Sequence, residues 1–224
     1  MLASANLELG EPAMIAKKTI GVWLMVFCGL LLSIFFLDAP IAIFCKKMAT
    51  SFRPLAVLRG AMPDLLMPAA CLSTVLAWVC YGFLKRKGIN NNNTYFFKLI
   101  ALTIPFSYLI KSVLKSVFGR AETRYWLRQP VSLGFNFFTG KGNYSGFPSG
   151  HMTVFTVVVA AAYVYYPRFR WVYIGLFVSL AIVLIATDYH FLSDVIAGAW
   201  LGLLVHLWTS KALCLDGPSF PCPD

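Results

Sequence analysis

Two stretches of this chain, Thr19–Leu37 and Leu65–Leu84, carry no charged side chain. A helix needs roughly 20 apolar residues to cross a hydrocarbon core of ~30 Å, and each stretch is about that long. The whole chain repeats the pattern. Of its 224 residues, 59% are hydrophobic and 12% charged, more apolar surface than one soluble core of this size can hide. A bilayer accepts it. The sequence therefore predicts an all-α polytopic membrane protein with six transmembrane helices, over about 19–38, 62–84, 94–118, 149–166, 171–188 and 192–210. The first apolar run follows Lys17-Lys18 and reads as a retained helix, not a cleaved leader. No repeat or attached soluble domain is visible, so residues 1–224 read as one transmembrane domain.

Two connections are long. The segment 39–62 carries Lys46, Lys47, Arg53 and Arg59 among apolar residues and reads as a short interfacial amphipathic segment. Arg120–Pro148 is rich in glycine and aromatic residues, and a loop of that length in a compact membrane protein is usually functional.

The net charge is +10, but the basic residues fall mostly between apolar runs. That placement points to membrane lipids or a phosphorylated substrate, not to nucleic acid. Six spans put both termini on one side, with Lys17-Lys18, Lys85-Arg86-Lys87, Arg168 and Arg170. The positive-inside rule makes that side cytoplasmic. The opposite side is also basic, and a phosphate-binding site gives such charge a purpose. The six cysteines form no CxxC pair or metal-type cluster. No cofactor, no metal and no obligate protein partner is expected.

Three segments at the ends of spans carry the chemistry. Lys111 and Lys115 close the third span, followed by Arg120 and Arg124. Pro148-Ser149-Gly150-His151 opens the fourth, and His190 and Asp194 mark the turn into the sixth. The six-span topology brings all three to one face. A transferring phosphoryl group spreads negative charge over its oxygens, so fixed cations and N–H donors stabilise it. Lys115 and the arginines supply cations. The free N–H groups and positive dipole end of a helix opened by Ser149 and Gly150 form an anion site. One histidine can attack phosphorus while the other protonates the leaving oxygen. Asp194, four residues after His190, shares its face if that turn is helical and can orient the imidazole. Lys111 either snorkels to the interface or adds a cation. His206, alone in the last span, reads as a hydrogen-bonding group between helices.

Together these residues resemble the type-2 phosphatidic acid phosphatase superfamily of membrane enzymes. Its three motifs are Lys-x6-Arg-Pro, Pro-Ser-Gly-His and Ser-Arg-x5-His-x3-Asp. The second stands intact at 148–151, and the His-x3-Asp half of the third stands at 190 and 194. The likeness spans about 105–205 and fits the six-helix layout. It implies that His190 is a nucleophile forming a phosphohistidine, that Asp194 orients it, and that His151 is the general acid, with no metal. Two departures stand out. Counted from Lys115, the first-motif arginine falls on Glu122 and the proline on Thr123. Arg120 and Arg124 flank that point and either can replace it, Arg124 being favoured. Val183-Leu184 stands where the third motif has Ser-Arg, so either Lys111, Lys141 or a residue of 39–62 compensates or the pocket binds a different phosphate arrangement.

The function expected is hydrolysis of a phosphate ester on a membrane lipid, at the periplasmic face of a bacterial inner membrane. Lipid A, phosphatidylglycerophosphate, phosphatidic acid and polyprenyl diphosphate are candidate substrates. A lipid phosphotransferase passing the group to an acceptor alcohol is the nearest rival. A non-catalytic membrane binding or transport protein is the third reading.

Overall fold

The computed structural model describes residues 20–51 and 66–213. Within them the chain is helical, with turns and one long connection. The first helix is unbroken from Ile20 to Ala49. It comprises α1 (20–32), a π turn at Ser33–Leu37, and α2 (Asp38–Ser51). Then follow α3 (Leu66–Arg86), α4 (Asn92–Phe118), the single turn α5 (Thr123–Trp126), α6 (Gly150–Tyr165), α7 (Arg170–Ala186) and α8 (Leu192–Ala212).

Five helical runs are long and apolar enough to cross a membrane: Ile20–Ala49, Leu66–Arg86, Asn92–Phe118, Pro167–Ala186 and Leu192–Ala212. The sixth expected span, α6, is apolar but only 16 residues long, about 24 Å at 1.5 Å per residue. The first span also departs from expectation. It does not give way at residue 38 to an interfacial segment but continues as helix to Ser51. The π turn allows this by rotating the helix without breaking it, so Asp38 enters the bundle and Lys46 reaches the long loop, donating to the Leu127 carbonyl at 2.8 Å. Arg53, Arg59 and the rest of 39–62 beyond Ser51 lie outside the described residues, as do Lys17 and Lys18.

Local sequence explains the helix ends. Asn91 caps α4, its side chain accepting from Asn93 and Thr94 N–H, so the asparagine run supplies a cap as well as a turn. Gly119 closes α4 at φ 55° and ψ 46°, the left-handed position a C-terminal glycine occupies without strain. The core lies where α3, α4 and α6 meet, around Leu99, Ala101, Ile104 and Ala161. A second cluster, Met152, Leu184 and Val195, joins α6, α7 and α8. Outward-facing apolar residues remain exposed, Trp171 at 85% and Phe35 at 73%, as a hydrocarbon solvent permits.

The contact between α6 and α8 is set by small residues. A Cβ on Gly198 would come within 2.5 Å of the Ser149 carbonyl oxygen, and one on Gly202 equally close to that of Thr153. Such near approach of backbones is how membrane helices gain packing without a hydrophobic force between them. We expect Gly198→Leu to cost about 1–3 kcal/mol by overpacking, read as a lower midpoint of thermal unfolding in detergent. Gly175→Leu, where an added Cβ meets nothing, should leave the midpoint unchanged. Equal midpoints for both variants would contradict this packing.

Candidate active site

The N-terminus of α6, the turn before α8 and the C-terminal end of α4 converge at one end of the bundle. Between them lies a small cavity of about 60 Å³, lined by Leu66, Tyr108, Lys111, Lys115, Glu122, Ser145, His151, Tyr189 and His190. Four of the side chains singled out in the sequence, Lys111, Lys115, His151 and His190, therefore share one cavity. The ring centroids of His151 and His190 are 6.3 Å apart. Two atoms flanking a reacting phosphorus at ~3–3.5 Å each need about that separation.

His190 is 4% exposed, and neither ring nitrogen has a hydrogen-bond partner. A buried polar atom left unpaired costs free energy and calls for an explanation. Its Nδ1 lies 3.8 Å from Asp194 Oδ2, close enough for charge interaction but longer than a hydrogen bond. Catalytic hydrogen bonds are often long before substrate binds. Burial is the main influence on the imidazole and holds its pKa below the ordinary 6.5. Lys115 acts in the same direction, while Asp194 and Glu122 oppose it. The ring is thus kept neutral, with a lone pair available.

Asp194 is completely buried and fixed from two sides. Its Oδ2 accepts from the Phe191 N–H at 3.0 Å, and its Oδ1 from Arg120 Nη1 at 2.7 Å. Arg120, also 0% exposed, reaches past it to Asp38 Oδ2 at 2.7 Å. Phe191 and Phe135 lie against the guanidinium. Burial disfavours its charge, but Asp194 and Asp38 outweigh this and raise its pKa.

The arginines are placed differently from the clamp role expected of them. Arg120 does not line the cavity, because both arms of its guanidinium are committed to carboxylates. Arg124 lies outside the lining as well: it donates to the Thr187 carbonyl at 3.2 Å and lies over the Tyr189 ring. Ser149 is buried, and its hydroxyl accepts from the Met152 N–H as the cap of α6. Its own N–H donates to the Asp194 carbonyl. Gly150 lets the Lys111 stem lie close, since a Cβ there would meet Lys111 Cδ at 3.2 Å. The cations lining the cavity are Lys111 and Lys115.

Glu122 occupies the family arginine's position and lines the cavity, accepting from the Ser145 hydroxyl at 2.8 Å. Tyr189, Ser145 and Asp38 were not singled out in the sequence. Tyr189 adjoins His190, and its ring lies 5.1 Å from that of His151, so adjacency was an available signal. Ser145 and Asp38 had none, since loop closure and a helix register bring them in. Tyr108 lines both the cavity and an apolar groove of about 610 Å³ between α3 and α4, which also includes Met67, Thr74, Ile104 and Ser112. Among the described residues no group of three His, Cys, Asp or Glu side chains is placed to hold a metal ion.

The burial of His190 has a direct test. In histidine-labelled protein, its imidazole resonance, assigned by its loss in His190→Gln, should remain that of the neutral ring at pH 6.5 and protonate only below it. Half-protonation at or above pH 6.5 would contradict the site as described.

The PAP2 superfamily model matches residues 96–213, more than half of the chain. The lipid A 1-phosphatases of Rhizobium johnstonii and Rhizobium etli are 34% and 33% identical to it over 106 residues. That stretch is 46% of this chain and 43% and 45% of theirs, so the match spans less than half the length of these relatives. No solved structure matches the chain.

Proposed function

Because the chain belongs to the PAP2 superfamily, the type-2 phosphatidic acid phosphatases whose second motif and part of whose third it carries, we propose that it hydrolyses a phosphate ester on a membrane lipid. The observation that carries the reading is the buried His190, with Asp194 at 3.8 Å and no hydrogen-bond partner, beside His151 in a cavity that Lys111 and Lys115 also line. The apolar groove that meets the cavity at Tyr108 supports a lipid as the carrier of the phosphate. The names of the Rhizobium relatives favour lipid A among the candidate substrates.

In the proposed reaction, a His190 ring nitrogen attacks phosphorus as the bond to the lipid oxygen breaks. His151 gives its proton to that leaving oxygen. Water then attacks the phosphohistidine and passes its proton to His151, and inorganic phosphate departs as the P–N bond breaks. Lys111 and Lys115 offset charge on the phosphoryl oxygens as compact cations. Asp194 orients the His190 ring, the role of the carboxylate in a nucleophile–base–acid set. Arg120 serves through Asp194, and Arg124 through Tyr189. No step draws on a metal, so turnover should persist in EDTA; loss restored by one specific cation would contradict this. The basic residues Lys85, Arg86, Lys87, Arg168 and Arg170 lie at the other end of the bundle, which favours a periplasmic site in an inner membrane.

Glu122 with Ser145 favours one alternative. A carboxylate and a hydroxyl beside the reacting group can hold an acceptor alcohol, making the enzyme a lipid phosphotransferase. Purified protein assayed on a panel of lipid phosphates, scoring inorganic phosphate and transferred product separately, decides between them. Under the hydrolase reading phosphate appears without an acceptor. His190→Ala and His151→Ala should each lower turnover at least ~100-fold. Full activity in either, or no turnover by the unaltered protein on any member of the panel, would sink the proposal.

A further inference from the structure

The first helix lies outside the region matched by the family, 96–213, yet it places a carboxylate against the catalytic groups. Asp38 is 1% exposed. Its Oδ2 accepts from Arg120 Nη2 at 2.7 Å and from the Ser193 hydroxyl. Its Oδ1 accepts from the Ser193 N–H at 3.0 Å. The Ser193 hydroxyl in turn accepts from Arg120 Nη1 at 2.6 Å. Ser193 is in the first turn of α8, directly before Asp194.

Two independent features aim Asp38 there. The first is the π turn. Residues five apart on an ordinary α-helix point about 140° away from each other. A π turn bonds i to i+5 and so draws the two residues together, and here the Asp38 N–H donates to the Ser33 carbonyl. Ser33 and Asp38 are both buried, while Phe35 and Phe36 between them face outward. The second feature is a vacancy at the start of α8. Its N-cap is Phe191, which has no side-chain oxygen for the free N–H groups of the first turn. Asp194 accepts from the Phe191 N–H, and Asp38, from another helix, accepts from the Ser193 N–H two residues on.

From this geometry we infer that Asp38 is a positioning residue for the proposed reaction, acting through Arg120 and Ser193 to set the orientation of Asp194. A guanidinium facing one carboxylate prefers a fork in which both oxygens are bonded. Asp38 holds the second arm, so Arg120 takes only Oδ1 of Asp194 and leaves Oδ2 on the side of His190. Without Asp38 the fork can close on Asp194 and draw Oδ2 away. The inference rests on the phosphatase reading for its effect on turnover, but its effect on His190 does not need turnover to be measured. The other ionisable groups lining the cavity with His190 are Lys111, Lys115 and Glu122 from the α4 end, His151 on α6 and Tyr189 beside it, and Asp188 is buried two residues before it. None of these changes in the variants used.

The test uses the full chain carrying Asp38→Asn or Ser193→Ala, each checked for folding by thermal unfolding. In Asp38→Asn, kcat should fall by up to ~100-fold, the cost of displacing a reacting group by about 1 Å, with KM little changed. The His190 resonance should titrate at lower pH than in the unaltered protein, because Asp194 no longer supports the charged ring. Ser193→Ala keeps every charge, so a shift in the same direction there reports orientation and not simple removal of a negative group. If Asp38→Asn does not fold, Ser193→Ala decides alone, with a smaller fall in kcat and the same direction of shift. Folded variants with unaltered kcat and unaltered His190 titration would overturn the inference while leaving the phosphatase reading intact. If the unaltered protein turns over no lipid phosphate, that reading fails, and the His190 titration still decides whether Asp38 positions Asp194.

Discussion

The buried guanidinium of Arg120 is the interaction on which this end of the molecule depends. A charge taken out of water costs several kcal/mol unless its partners are close and its donors satisfied. Here Asp38 and Asp194 stand at 2.7 Å on its two arms, Ser193 bonds one of them, and two phenylalanine rings cover the faces. Meeting those demands fixes three parts of the chain together. The end of α4 carries Arg120, the first helix brings Asp38, and the start of α8 brings Ser193 and Asp194. The long loop also has to follow, since Arg120 pairs with Phe135 in an isolated bridge and its Nε faces the Leu133 carbonyl.

This commitment shapes the electrostatics of the cavity beside it. With Arg120 held by carboxylates and Arg124 at the Thr187 carbonyl, the cations lining the cavity are lysines. A lysine is a movable point charge, whereas an arginine fork holds two oxygens in fixed geometry. Phosphate orientation would then depend on the histidines and the α6 N-terminus more than on a clamp. Glu122 adds a negative group that a simple phosphate site would not need, and with the Ser145 hydroxyl it could hold an acceptor alcohol.

The membrane part of the fold places fewer demands on particular side chains. Its contacts rely on close backbone approach at Gly198 and Gly202 and on two modest apolar clusters. The outward faces are simply apolar. This division suits an integral membrane protein whose chemistry sits at one end: the spans supply a frame of roughly fixed height, and the buried ion network sets the geometry where it matters.

The sequence by itself determined the helical membrane class, four of the spans and the shorter helix α6 to within a few residues, and the convergence of Lys115, His151, His190 and Asp194. Those features follow from local rules: uncharged runs have one comfortable solvent, and residues at alternate span ends must meet. Asp194 does come within 3.8 Å of His190, but not by a shared helix face: His190 precedes α8 and the Phe191 N-cap between them is extended. What only the tertiary structure decided was the partnership of each charge. Arg120 and Arg124 sit four residues apart and both read as clamps, Arg124 favoured, but Arg120 is the one buried, through the approach of Asp38 from a helix 82 residues away. Asp38 itself lay at a predicted boundary between span and interface, and nothing in the local pattern marks a π turn that carries the helix through it. Pairing energies between distant charges are fixed by distance and desolvation, which exist only once the chain has folded.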